Sequence, residues 1–267
     1  MIKTRLVALM VALFAAPLAS ADDAKLQAAI DGEHRTEAWT ARDQYRNPLQ
    51  TLKLFDVQPQ HTVVEVWPGG GWYTEILAPY LKDEGKLIAA HYDSSDKQAS
   101  YRPSGRERFE EKISGNADVY GEVEVTSLMF DEETDTLAIA AAKDNSVDRV
   151  LTFRNAHGMV RTGVARAAFE HFFAILKPGG KLGIVQHMAD PEQNWMGSNI
   201  GYVGRDYIIA QATAAGFVLD AEGFFNRNAL DTKRHEKGVW SLPPSLNGLE
   251  TAAEKAPLLA IGESERM

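Results

Sequence analysis

The sequence contains no cysteine. That excludes disulfides, thiol nucleophiles, zinc–thiolate sites and iron–sulfur clusters. It lacks a run apolar enough to cross a ~30 Å hydrocarbon core as a permanent helix; the stretch Leu6 to Leu18 is too short and is interrupted by Pro17. It has no Lys/Arg cluster, and 37 acids against 28 bases leave a net charge of −9. An acidic chain gains no counterion-release term from a polyanion, so nucleic acid is not an expected partner. A Gly-x-Ser-x-Gly elbow is also missing, which argues against a hydrolase. There is no internal repeat and no long low-complexity linker.

What is present starts with a processing signal. Lys3 and Arg5 precede the apolar run, and Ala19-Ser20-Ala21 forms a small-x-small cleavage site before Asp22-Asp23. Residues 1–21 are therefore expected to be a signal peptide, removed after Ala21, with the mature protein exported to the periplasm. No membrane contact is expected after cleavage. The remaining chain suits one large α/β domain, and 45% hydrophobic residues suffice for a core without disulfides. Residues 22–60 read as an N-terminal helical segment able to form a lid, and residues 61–267 as the α/β domain.

Local patterns fill in the elements. Asp23 to Gln44 has helical spacing, and Pro48 to Phe55 starts a further helix with Pro48 at its first position. Thr62 to Trp67 reads as a strand, Trp72 to Leu81 as a helix stopped by Gly85, and Lys86 to His91 as a second strand. This β-α-β unit predicts parallel strands with a right-handed crossover. Further helices are expected at Arg106–Ile113, Gly163–Leu176 and Arg205–Ala215. Strands are expected in 119–130, 148–153, 181–187 and 217–225, with a final edge strand at 258–261. The alternation argues for a doubly wound sheet with helices on both faces.

The segment Glu65-Val66-Trp67-Pro68-Gly69-Gly70-Gly71-Trp72-Tyr73 lies between a predicted strand and a predicted helix. There a glycine-rich turn has a mechanism: the backbone can approach a ligand, and the helix start offers free N–H groups. The dinucleotide fingerprint Gly-x-Gly-x-x-Gly is incomplete, because Thr74 stands at its third glycine. With an acid ahead of the turn, the segment instead resembles the first motif of class I S-adenosylmethionine-dependent methyltransferases, acid-x-Gly-x-Gly-x-Gly. Glu65, Gly69 and Gly71 match, and Trp67 replaces the first glycine. Leu176-Lys177-Pro178-Gly179-Gly180 is similar to that family's turn before its fifth strand, and 148–153 to its fourth strand. The segments Arg42-Asp43-Gln44-Tyr45-Arg46, Phe153-Arg154-Asn155-Ala156-His157 and Gly238-Val239-Trp240-Ser241-Leu242-Pro243-Pro244 resemble a group of secreted methyltransferases assigned by fold.

The resemblance implies a sheet of about seven strands whose last, here short, strand reverses direction. It implies S-adenosylmethionine across the carboxyl ends of strands one, two and four. Glu65, Trp67, Gly69, Gly70, Gly71 and Tyr73 would then line the cofactor, with His91, or Asp93 two residues later, where the family places a ribose-binding acid. Arg154, Asn155 and His157 after strand four, with His187 at the end of strand five, are the catalytic candidates. They could bind a polar or anionic acceptor or take a proton from it. Tyr45 and Arg46 could belong to the lid. No metal is expected, because no short ligand spacing joins these histidines to an acid. The favoured expectation is an exported methyltransferase acting on a small molecule. A binding protein of the same fold without turnover is the alternative that Trp67 and His91 favour. A nicotinamide-dependent oxidoreductase is the third.

Overall fold

A computed structural model describes residues 21–96, 99–131, 133–134, 136–191 and 200–267. The expected leader lies outside the described residues, except for Ala21. The strands are β1 (Thr62–Val66), β2 (Lys86–His91), β3 (Val123–Asp131), β4 (Thr136–Ile139), β5 (Val147–Phe153) and β6 (Leu176–Val185). They form one six-stranded sheet in the order β4-β3-β2-β1-β5-β6. All neighbours are parallel except β3 and β4, which pair antiparallel.

The helices are α1 (Ala21–Ile30), α2 (Glu37–Thr40), α3 (Asp43–Arg46), α4 (Pro48–Leu54), α5 (Thr74–Leu81), α6 (Tyr101–Gly115), α7 (Ala117–Tyr120), α8 (Ala156–Arg161), α9 (Ala165–Ile175), α10 (Arg205–Ala214) and α11 (Ala252–Ile261). They cover both faces of the sheet. Side chains of a strand alternate between faces. Val63 packs with Ile76 and Leu77 of α5, while Val64 and Val66 pack with Met159, Phe169 and Phe172 of α8 and α9. Each such fully buried side chain contributes roughly 1.5–3 kcal/mol. Alternation also sends Glu65 toward the α5 face, a position that packing alone would give to an apolar residue.

Several sequence expectations are corrected. The long N-terminal helix ends at Ile30, because Arg35 folds back to donate from Nη1 to the Ile30 carbonyl at 2.7 Å. That bond satisfies a helix-end acceptor and starts the short α2 and α3. The start of the expected strand 119–130 is instead α7, capped by the Asn116 side chain on Val119 N. The expected helix 163–176 is α9, and a further short helix, α8, precedes it where none was expected. Strand β6 begins at Leu176, with a register jump where Pro178 to Gly180 bulge out.

The segment 217–225 is not a strand. Its acids are held by side-chain pairs, Asp220 to Lys181 and Glu222 to Arg205, rather than by a backbone ladder. A cleft of about 460 Å³ separates it from β6. Residues 258–261 belong to α11, which the Thr251–Glu254 capping box starts. Among the described residues there are thus six strands rather than about seven. At the sheet edge the tail supplies a short antiparallel pairing: Gln186 and Met267 exchange both backbone hydrogen bonds at 3.1 Å.

Candidate functional site

The ends of β1, β2 and β5 meet at the glycine turn. Trp67 N still donates to Ala90 O at 2.8 Å, and Gly71 N closes the turn on Pro68 O at 3.0 Å. Two side chains from neighbouring strand ends hold the turn. Asn155 Nδ2 donates to Val66 O at 2.9 Å and to Trp67 O at 3.0 Å. His91 accepts at Nδ1 from Tyr92 N, at 2.8 Å, so its proton sits on Nε2, which donates to Gly69 O at 3.1 Å. His91 is fully buried with both nitrogens engaged. Burial holds its pKa below the ordinary histidine value. It therefore braces the loop from inside.

The backbone explains the glycines. Gly69 has φ +60°, and a side chain there would meet nothing within 4 Å, so its backbone is bare to an incoming molecule. Gly71 has φ +85°, and a Cβ there would lie 2.9 Å from the Phe109 ring. Gly70 is exposed between them. Trp67 also adopts the left-handed region, φ +48°, where the family motif has glycine. For a bulky residue this conformation is strained by about 1–2 kcal/mol. Arg154, at φ +65°, shares this feature at the end of β5. Such residues persist only where surroundings over-determine them, and they cluster at functional sites.

Trp67, Tyr92 and Asp93 line a cleft of about 680 Å³ that continues along Leu128 and Phe130. The Trp67 and Tyr92 rings lie 5.2 Å apart. Trp67 Nε1 is buried without a hydrogen-bond partner. Asp93 is half-buried and accepts from Ser95 N and Oγ at 2.8 and 2.5 Å, which lowers its pKa. Glu65 is 1% exposed, and Thr74 Oγ1 donates to its Oε2 at 2.6 Å. Burial pushes its carboxyl up to about 7. Tyr73 turns away from this cleft: it stacks on Phe153 at 3.5 Å and is buried on the α5 face.

Beyond the ends of β5 and β6, His157 and His187 stand 5.9 Å apart by ring centroids. Gln186 links the two: its Oε1 accepts from His157 N at 3.3 Å, and its Nε2 lies 3.5 Å from His157 Nδ1 and 3.4 Å from His187 O. Burial pushes His157 down to about 4, so its ring is neutral at pH 7. His187 is buried, with Nδ1 2.5 Å from Ser264 Oγ, and its pKa is held well down by the same cause. Burial likewise lowers Arg154 to about 10. The structure thus groups Arg154, Asn155, His157 and His187 at the ends of β5 and β6. Sequence reasoning missed Tyr92, Gln186, Glu263 and Arg266. Only Tyr92 carried a signal, its place directly after β2. Among the described residues, no group of three or more His, Cys, Asp or Glu is placed to hold a metal ion.

No protein-family model matches this chain, and no curated protein sequence does. Solved structures do. A SAM dependent methyltransferase from Aquifex aeolicus superposes with a TM-score of 0.51 at 18% identity, over 74% of this chain and 90% of that one. A geranyl diphosphate methyltransferase in complex with SAM gives 0.48 at 12% identity, over 71% and 73%. The glycopeptide N-methyltransferase MtfA gives 0.48 at 14% identity, over 70% and 90%. The Aquifex likeness is one of fold: this chain has the Rossmann-like α/β fold of that enzyme, with six strands.

Proposed function

We propose that this chain is an exported S-adenosylmethionine-dependent methyltransferase that acts on a small-molecule acceptor. The observation that carries the reading is the bare, left-handed Gly69 backbone opening between the ends of β1 and β2. Open α/β sheets bind ligands at this place, outside the carboxyl ends of their strands. The donors present fit the cofactor. Trp67 Nε1 is a buried donor without a partner, and Asp93 lies in the wall of the same cleft. Gly69, Gly70, Trp67, Tyr92 and Asp93 would hold the nucleoside. When bound, S-adenosylmethionine supplies a sulfonium methyl group for transfer.

This chain's own contribution is placement. Asn155 and His91 fix the turn by hydrogen bonds to its carbonyls, so the loop needs little reorganisation when a ligand arrives. His157, neutral at pH 7, is available as an acid–base group for a protonated acceptor. Thr74 argues against the nicotinamide alternative, because its side chain, bonded to Glu65, fills the third glycine position of the dinucleotide fingerprint. The methyltransferases of similar fold support the cofactor assignment, and the basic, apolar and small-residue pattern of 1–21 supports export.

One observation favours a second reading, a binding protein without turnover: the strained Trp67 stands where the motif has glycine, in the cleft wall. Calorimetric titration with S-adenosylmethionine and then S-adenosylhomocysteine tests both. Micromolar binding of both, followed by methyl transfer in an acceptor screen that His157→Ala slows, is expected. Binding of neither by folded protein would overturn the assignment; binding without turnover would favour the second reading. Mass spectrometry of exported protein is expected to show Asp22 as its first residue.

A further inference from the structure

Four arginines converge on one carboxylate where the N-terminal segment, the end of β5 and the tail meet. Arg42 Nε donates to Glu263 Oε1 at 2.6 Å, and Arg46 Nε to Oε2 at 3.2 Å. Arg266 Nη1 lies 3.1 Å from the same Oε2. Arg154 is the fourth, and among the described residues its guanidinium makes no hydrogen bond; Glu263, Arg266 and Arg42 are the charges that act on it most. Arg46 and Arg266 are each 2% exposed. The Nη2 atoms of Arg42 and Arg46 are buried and have no partner.

This is an unbalanced site. Buried charges are ordinarily paired one to one, because an unpaired one loses its hydration without return. Here one carboxylate faces four guanidinium groups, and donors beside it stay unused. The strain shows in the groups themselves. Burial, with the Arg154 charge adding to it, brings Arg46 down to about 9, and the surrounding arginines hold Glu263 at about 2 against its burial. What is missing is negative charge with several acceptor oxygens. Planar guanidinium forks match carboxylate and phosphate groups, which they bind by paired hydrogen bonds.

Aromatic and polar side chains flank the cluster. Tyr73 follows the glycine turn, and its hydroxyl lies among the charges that act on Arg46, Arg154 and Arg266. The Trp72 ring supports Arg46 at 4.5 Å. His187, next to the tail, contacts Ser264, the neighbour of Glu263. The cluster therefore sits beside His187, where α3 and the tail meet.

We infer that the Arg42, Arg46, Arg154 and Arg266 cluster binds the carboxylate or phosphate group of a small-molecule ligand, with Glu263 occupying the site as an internal anion until that ligand displaces it. Calling this ligand the methyl acceptor rests on the methyltransferase reading; the anion site itself rests on the arginines. Its test therefore uses no cofactor. The purified protein is titrated calorimetrically at low ionic strength with inorganic phosphate and, separately, with succinate.

One equivalent of one or both anions should bind. Glu263→Gln removes the internal competitor and is expected to tighten binding about tenfold, while Arg154→Gln weakens it by a similar factor. Should Glu263→Gln fold poorly, phosphate should raise its unfolding temperature by more than it raises that of the wild type, and chloride at equal ionic strength should not. Tighter phosphate binding identifies a phosphate ligand, and tighter succinate binding a carboxylate. The inference is overturned if neither anion binds. It is equally overturned if Arg154→Gln binds as the wild type does, or if Glu263→Gln gains neither affinity nor thermal protection. Failure of S-adenosylhomocysteine to bind would leave these outcomes unchanged, so the two readings fail separately.

Discussion

Replacing Glu65 by glutamine should make the protein more stable at neutral pH and leave it unchanged in acid. Glu65 sits 1% exposed on a strand whose other inward residues are valines, and Thr74 gives its carboxyl one short hydrogen bond. Burial raises its pKa from 4.5 to about 7, against the opposing effects of that bond and of the Lys112 charge. Below pH 4.5 the folded and unfolded chains both hold the proton. Between pH 4.5 and 7 the unfolded chain releases it while the folded chain keeps it, so stability falls as pH rises. At about 1.4 kcal/mol for every pH unit that separates the folded and unfolded titrations, the loss amounts to about 3 kcal/mol and is complete above pH 7. Glutamine copies the shape of the protonated acid and does not titrate. Urea unfolding of both proteins at pH 4, 6, 7 and 8 should give a difference near zero at pH 4 that grows to about 3 kcal/mol at pH 8. Other titrating groups cancel in that difference. A difference that does not vary with pH would refute the claim that Glu65 is desolvated in the fold. A carboxylate kept at such cost on the strand that leads into the turn also predicts that Glu65→Gln binds S-adenosylhomocysteine more weakly than the wild type while resisting urea better, the usual opposition of stability and function.

Three further outcomes are expected. Trp67→Gly removes a strained left-handed residue and an aromatic wall of the cleft, and should weaken S-adenosylhomocysteine binding about tenfold, since ring contacts of this kind contribute roughly 1 kcal/mol or more; an unchanged titration curve would take Trp67 out of the site. Asn155→Ala leaves the Val66 and Trp67 carbonyls without their donor and should cost about 2 kcal/mol, a fall of roughly 4–8 °C in melting temperature; calorimetry showing no fall would mean that the turn holds without it. The His157 ring should titrate by NMR with a midpoint near 4, because burial favours its neutral form. Its share of stability is then kept above pH 6.5 and lost as pH drops from there toward 4; a midpoint near 6.5 would show that the ring is solvated.

Patterns confined to a few neighbouring residues were legible in the sequence. The β1-turn-α5-β2 unit follows from a valine-rich run, a glycine turn, a helical stripe and Gly85, and each of these acts on its own neighbours. Helices α4 and α10 and strand β5 were equally plain for the same reason. The capping box Thr251-x-x-Glu254, which the reading of the sequence passed over, outweighs the strand pattern at 258–261 because it satisfies backbone groups that a helix start leaves open. The segment 217–225 misled, since its apolar residues promise a strand while its acids are drawn into pairs with Lys181 and Arg205.

By itself the sequence determined the class of fold, the place of the glycine turn and the residues at the ends of β1, β2 and β5, because periodicity and turn chemistry are local properties. Only the tertiary structure decided what those residues do. Burial on the α5 face turned Glu65 into a group that holds its proton near neutrality, and the backbone of the turn forced Trp67 into a conformation suited to glycine. His91 acquired a carbonyl beneath the loop as its partner. Arg46 and Glu263 are 217 residues apart, and Arg154 lies between them in the chain. Their convergence depends on where α3 and the tail pack against the end of the sheet, a long-range arrangement for which no local pattern exists.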